Sequence, residues 1–183
     1  GMVHISERPS RSRGPRGARS LEGDLIMGST ASSSAIGTLV ERASRFVMLL
    51  HLPKGEYGAD AVEEAMITAM SQLPATLRRT LTWDQGKEMS NHIQIAQALD
   101  LQIFFCDPHS PWQRGSNENT NGLLRQYFAK GTDLSIYPPD YLDYIAMKLN
   151  RRPRKTLGWK TPAAVLDELL SNPTDPNGVA SVA

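Results

Sequence analysis

Gln102–Asp107, QIFFCD, narrows the possible folds of this chain more than any other segment. Its apolar residues run without alternation, as in a strand buried on both faces, and such a strand needs helices on each side of its sheet. The neighbouring segments supply them. LEGDLIMG, ending at Gly28, reads as a strand, and SAIGTLVERAS and RFVMLLHLP are two more β-rich runs close enough to pair as a meander. ADAVEEAMITAMSQL then carries Val62, Ala65, Met66, Ala69, Met70 and Leu73 at helical spacing. TLTWD reads as a short strand and HIQIAQALDL as a helix. After QIFFCD, helices are expected from Asn117, across PPDYLDYIAMKLN, and over TPAAVLDELL, where Pro162 suits a first turn. The string predicts an α/β fold: a mixed five-stranded sheet, three antiparallel strands then two parallel, flanked by helices.

With 183 residues and 40% hydrophobic content, the chain suits one domain with a real core. Residues 1–20 are rich in Arg, Ser, Gly and Pro and read as a flexible basic arm or linker. Residues 21–170 form the folded core, and 171–183 form a flexible tail. Gly1 ahead of Met2 reads as an expression remnant. A net charge of +1 conceals segregation: residues 21–108 carry six basic and eleven acidic side chains, and residues 109–160 carry nine basic and four acidic. That suits a metal site beside a polyanion, or ordinary scatter of surface charge. A single cysteine, Cys106, excludes a disulfide framework and a Cys-based zinc site. There is no apolar run long enough for a bilayer and no signal-peptide pattern, so a soluble, cytoplasmic protein is expected.

Three acids sit where stability alone would rarely place them. Asp24 lies inside the first strand, where a charge is costly unless paired or metal-bound. It reads as a ligand or as an edge-strand charge that blocks aggregation. Asp84 ends TLTWD, at the carboxyl end of a strand, where ligand crevices form in helix-covered sheets; a plain turn residue is the alternative. Glu118 opens the helix in SNENTNGLLRQYF, with Ser116 as its expected cap. It could simply complement the helix dipole. At about 100° per residue, Leu123, Leu124, Tyr127 and Phe128 form an apolar arc. Glu118, Asn121, Gly122 and Arg125 lie opposite, a stripe better suited to a phosphate chain than to packing.

These motifs are similar to the catalytic core of bacterial insertion-sequence transposases of the DDE group, and most closely to the insertion-sequence-thirty family. The residues that carry the resemblance are LEGDLIMG, TLVERASRF, TWDQGKE, DPHSPWQRGSNENTNGLLRQYFAKGTD and LNRRPRKTLGWKTP, covering roughly Leu21 to Leu170. The family's acidic triad falls on Asp24, Asp84 and Glu118, with 33 residues between the last two. Its basic residue seven positions after the Glu falls on Arg125. Where the family often has a His and an aromatic before EGD, this chain has Arg19, Ser20 and Leu21. The family's N-terminal helix-turn-helix region has no counterpart here, so a catalytic fragment is expected.

The resemblance implies a ribonuclease-H-like fold and an integrase-like core over residues 21–170. It implies a DNA transposase that cleaves phosphodiesters at transposon ends and joins the freed 3′-hydroxyl to target DNA. Hard oxygen ligands at Asp24, Asp84 and Glu118 would hold Mg²⁺ or Mn²⁺, as two ions, with Asp24 bridging them. The expected partner is double-stranded DNA, both transposon ends and target, with a homo-oligomer in the active complex and neither membrane nor small-molecule substrate. Arg125, Asn117, Asn121, Arg114, Trp112, Arg151, Arg152, Arg154 and Lys155 are the candidate DNA contacts. Trp112 reads equally as a base-stacking residue or an anchor for its loop. Two other readings remain open: a non-catalytic DNA-binding domain derived from such a core, and a nuclease of the same fold that only hydrolyses.

Overall fold

The computed structural model describes residues 2–4, 20–53, 55–84, 86–107 and 115–171, with backbone only at 3, 4 and 115–117. Its strands are β1 (Val3–His4), β2 (Ser20–Met27), β3 (Ala35–Glu41), β4 (Val47–His51), β5 (Thr80–Trp83) and β6 (Gln102–Phe105). The helices are α1 (Ala59–Met70), α2 (His92–Leu99), α3 (Gly115–Leu124), α4 (Pro139–Asn150) and α5 (Pro162–Ser171). The sheet order is β1-β6-β5-β2-β3-β4. β2, β3 and β4 form the antiparallel meander, while β5 runs parallel to β2 and β6 parallel to β5. This is the mixed sheet expected from the sequence, with one addition.

The addition is β1. Val3 and His4, placed by the sequence in a flexible arm, pair in parallel with Phe104 and Phe105 and give the sheet a sixth strand. An edge strand presents unpaired ladder groups that recruit extended chain, and two residues carry too little periodicity to read. The arm's residues 5–19 lie outside the described residues. At the other end, Ser171 belongs to α5 rather than to the tail. α3 also begins two residues earlier than expected, so Ser116 lies within the helix instead of capping it. Neither Gly115 nor Ser116 blocks helical backbone, and sequence locates helix ends only to within a residue or two.

Alternation along β2 divides the core in two. Leu21 joins Leu39, Leu50, Leu81, Trp83, Ile103 and Phe105 under α1 and α2, where Val62, Met66, Met70 and Ile95 complete the cluster. Ile26 joins Ile36, Val40 and Val47 on the opposite face, under Leu124 and Phe128 and the Leu142, Ile145 and Leu149 of α4. The outer edge, β4, is partly closed by Asn150: its Oδ1 accepts the Val47 N–H at 2.9 Å and its Nδ2 donates to the Val47 carbonyl at 2.9 Å. One amide thus imitates a residue of a further strand.

Gly23 fixes how β2 and β5 meet. A Cβ there would stand 2.1 Å from two ring carbons of Trp83, whose side chain is fully buried. Only a bare backbone admits the indole. Gly23→Ala is expected to destabilise the fold by about 1–3 kcal/mol, as overpacking a filled core does. Urea unfolding measures it, and a loss below about 0.5 kcal/mol, no more than an ordinary surface substitution, would show that the indole moves aside.

Candidate active site

Asp24 and Asp84 are held by neighbouring parallel strands. Glu22 of β2 pairs with Thr82 of β5, and continuing that register two residues brings Asp24 level with Asp84. Strand alternation turns both toward the face covered by α3 and α4, the face of Ile26. Trp83, immediately before Asp84, faces the other way and packs over Gly23, immediately before Asp24. The steric interlock on one face therefore sets the two acids side by side on the other.

Each acid has local support. The Asp24 Oδ1 accepts the Leu25 N–H at 2.8 Å, and its Oδ2 accepts the Nδ2 of Asn121 from α3 at 3.1 Å. The Thr38 hydroxyl donates to the Asp24 carbonyl at 3.3 Å. Beyond Asp84 the chain folds back through a 3-10 turn, Lys87–Met89, that buries Met89. Glu88 reaches from this turn to accept the Trp83 Nε1–H at 3.2 Å. A Cβ on Gly86 would lie 2.2 Å from a Glu88 carboxylate oxygen, so the bare glycine leaves that carboxylate its place. Glu88 is thus a brace for Trp83.

α3 brings the third acid. Thr120 and Leu124, one turn apart, are buried, and Phe128 is buried just beyond, so this side of the helix lies on the sheet. Asn121 then faces Asp24, while Glu118, one turn earlier, is exposed. Among the described residues, no three His, Cys, Asp or Glu side chains gather closely enough to hold a metal ion. Asp24 and Asp84 belong to neighbouring strands and Glu118 to the helix over that face, but the three carboxylates are not gathered. Like charges repel by about 1 kcal/mol at 4 Å even in water, so carboxylates stay apart unless a cation shields them. The donor set nonetheless fits a hard divalent ion. Besides the carboxylates, the Asn121 Oδ1 is buried without a hydrogen-bond partner beside Asp24, an oxygen with unused capacity.

The other candidates divide by position. Gly122 is open, with nothing within 4 Å of where a Cβ would be. Regular helix ends at Leu124, and tighter bonds from Gln126 to Leu123 and from Tyr127 to Leu124 turn the chain. Arg125, expected on one stripe with Glu118 and Gly122, folds back there. Its guanidinium donates to the carbonyls of Met27 at 3.2 Å and Phe128 at 3.4 Å, and burial holds its pKa below the usual value. Arg151, Arg152, Arg154 and Lys155 follow α4; Arg152 meets the Tyr127 hydroxyl, and Arg154 lies near Arg45 of the β3–β4 turn. Trp112 and Arg114 lie outside the described residues, as does the Asn117 side chain. A groove of about 840 Å³ runs along β4 between α1 and α4, lined by Leu50, Ala65, Leu142 and Met147 and by none of the three acids.

No family model matches the chain. The transposase for insertion sequence element IS1086 of Cupriavidus metallidurans is 50% identical over 174 residues, covering 95% of this chain and 50% of that protein. Transposase InsI for insertion sequence element IS30C of Escherichia coli K12 is 46% identical over 160 residues, 86% of this chain and 41% of that protein. The transposase for insertion sequence element IS4351 of Bacteroides fragilis is 38% identical over 172 residues, 93% of this chain and 51% of that protein. The chain thus spans about half the length of these relatives, 41–51%. Among solved structures, the catalytic core domain of BIV integrase matches with a TM-score of 0.61 at 18% identity, over 85% of this chain and 98% of that one. A simian T-cell lymphotropic virus intasome in complex with PP2A regulatory subunit B56 gamma matches with a TM-score of 0.62 at 19% identity, over 80% of this chain and 53% of that one. At such identities the likeness is one of fold, and the fold is ribonuclease-H-like.

Asn121→Ala removes the amide that donates to Asp24. A hydrogen bond to a charged group contributes about 1.5–3 kcal/mol when fully formed, and partial exposure here reduces that to about 1 kcal/mol. Urea unfolding at neutral pH should show the loss; wild-type stability would mean that the bond does not hold α3 to β2 in solution.

Proposed function

Over the half of its relatives' length that it spans, the chain belongs to the IS30 family of insertion-sequence transposases, and from this we propose that it is their catalytic core. The reaction is metal-dependent phosphodiester cleavage at transposon ends, followed by transfer of the freed 3′-hydroxyl into target DNA. The observation that carries this reading is the register that sets Asp24 level with Asp84 on adjacent parallel strands, facing the helix of Glu118. Three hard carboxylates on one face of the sheet and its covering helix suit a divalent ion that would draw them together.

Asp24, Asp84 and Glu118 would hold divalent ions, Mg²⁺ or Mn²⁺. Such ions supply Lewis acidity and neutralise charge on a phosphodiester undergoing in-line displacement. The protein's own groups do the positioning. Asn121 fixes the Asp24 carboxylate, and the Trp83 brace fixes the strand end at Asp84. Gly122 leaves a bare helix surface on which a phosphate chain can lie, and Glu118 stands exposed at its edge. In cleavage, water attacks phosphorus and the 3′-oxygen leaves as a hydroxyl. In joining, that hydroxyl attacks a target phosphodiester and displaces one strand, so one bond forms as one breaks and no external energy source is needed.

The partner is double-stranded DNA. Joining two ends to one target calls for more than one copy of the chain in the active complex. Among the described residues, no helix is long and apolar enough to cross a membrane.

Asp24→Asn, Asp84→Asn and Glu118→Gln each remove one charge with little change of shape. Each should lower Mn²⁺-dependent nicking of a transposon-end duplex more than about a hundredfold, since even outer-shell changes at metal sites cost tenfold to a hundredfold. Thermal unfolding should stay cooperative. Full activity in any one of them removes that residue from the site.

A further inference from the structure

The β3–β4 turn and the loop after α4 meet at the end of the sheet where β2 begins, and there the fold gathers positive charge that it does not neutralise. The turn is tied to that end by the Arg42 N–H, which donates to the Ser20 carbonyl at 3.0 Å. Its acids are already engaged. The Glu41 carboxylate accepts the N–H groups of Ala43 and Ser44 and the Ser44 hydroxyl. Glu22 pairs with Arg42 at 3.0 Å.

Arg154 is left over. Its Nε and Nη2 are buried and make no hydrogen bond. That edge carries two parallel donors, the pair that grips a phosphate once the side chain is turned out to solvent. Burial lowers its pKa, and the charged groups that act on it, Arg152 and Arg45, are both positive and lower it further. Arg152 is oriented by the Tyr127 hydroxyl, to which its Nη2 donates at 2.7 Å. Buried donors without acceptors and converging like charges both cost stability, and one anion would relieve both.

Backbone strain marks the same place. Among the described residues, four non-glycine residues have positive φ; Arg45, at 64°, and Trp159, at 66°, are two of them. Glycine would take either conformation freely, so these side chains are kept at a cost. Trp159 is 67% exposed, yet its loop is firmly closed. The Arg154 N–H donates to the Lys160 carbonyl at 3.0 Å and the Trp159 N–H to the Arg154 carbonyl at 2.8 Å, around the 3-10 turn Lys155–Leu157. An exposed indole on a closed basic loop matches how aromatic and cationic side chains share a nucleic-acid strand.

We propose that Arg45, Arg152 and Arg154, with Trp159 on the same loop, form a second DNA-backbone site, separate from the acidic crevice. The inference rests on the reading of the chain as a DNA-acting transposase core. Leu21 pairs with Glu41, so the turn begins three residues along the strands from the level of Asp24, about 10 Å, and β4 lies two strand spacings from β2, about 10 Å more. Both sites fall within one turn of a duplex, about 34 Å. The second site holds the duplex by phosphates within a turn of the scissile bond, and Trp159 packs against the sugar or base edge beside them.

The test measures how binding of the whole chain to a labelled duplex depends on salt. Arg154→Gln and Arg45→Gly should each reduce the slope of log K against log salt by about one, as loss of one phosphate contact does. Trp159→Gly should weaken binding severalfold with little change of slope. The two glycine variants relieve left-handed strain, so their melting temperatures should match or exceed wild type, and lost binding cannot then be ascribed to unfolding. Asp24→Asn should keep the full slope. Unchanged slopes in both arginine variants, or no duplex binding by the wild-type chain, overturn the second site. Loss of nicking in Asp24→Asn would still uphold the catalytic reading in that case. Inorganic phosphate provides the other arm: saturable shifts of the Arg154 Nε–H signal without any effect of Arg154→Gln on duplex binding would assign the site to free phosphate and overturn the DNA proposal. So would a changed oligomeric state with unchanged DNA binding, which would make the loop a protein contact.

Discussion

The indole of Trp83 occupies the space that any side chain on Gly23 would need, and the placement of two acids depends on that contact. Strand alternation does the rest. With Trp83 and Gly23 locked on one face, Asp84 and Asp24 are the next residues along and must emerge together on the other. The lock is braced by Glu88, which accepts the indole N–H from the 3-10 turn Lys87–Met89. The proposed acidic site on one side of the sheet is therefore maintained by packing on the opposite side.

Helix α3 both packs on the sheet and reaches Asp24. Leu124 anchors its inner side and Phe128 the turn beyond it, while Asn121 ties it to Asp24. The same docking presents Glu118 to solvent and leaves Gly122 bare. Asn, Gly and an exposed acid make a poor isolated helix, and the fold accepts that loss of propensity because tertiary packing supplies the stability. Arg125 closes the arrangement by binding the end of β2 through the Met27 carbonyl. Its part is then at least as much to set the helix end as to meet a phosphate.

The pattern of strands and helices was legible because apolar periodicity is a local property: QIFFC, TLTW and the stripe from Val62 to Met70 all form what they spell. Asp24 and Asp84 stood out for a related reason, since charges inside a strand or at its end are out of place, whereas Glu118 stood out by its place on the helix face opposite the apolar arc. Gly23 also carried a signal, because a glycine within a strand marks close approach of another group, although its partner Trp83 could not be named from sequence. What stayed hidden depends on distant parts of the chain. Val3–His4 pair with β6 only because that strand offers a free edge. Asn121 meets Asp24 across 97 residues. The left-handed conformations of Arg45 and Trp159 are imposed by the closed turns around them, and no local rule would assign them to an arginine or a tryptophan.

Asp24, Asp84 and Glu118 are proposed to form one metal centre, although without an ion the three carboxylates are not gathered. Anomalous scattering from crystals of the chain grown with Mn²⁺ tests it directly. Manganese peaks ligated by Asp24 and Asp84, with the Glu118 side chain drawn in toward them, are the predicted result. Manganese bound elsewhere, or a saturated crystal in which Asp24 and Asp84 carry no ion, would contradict it.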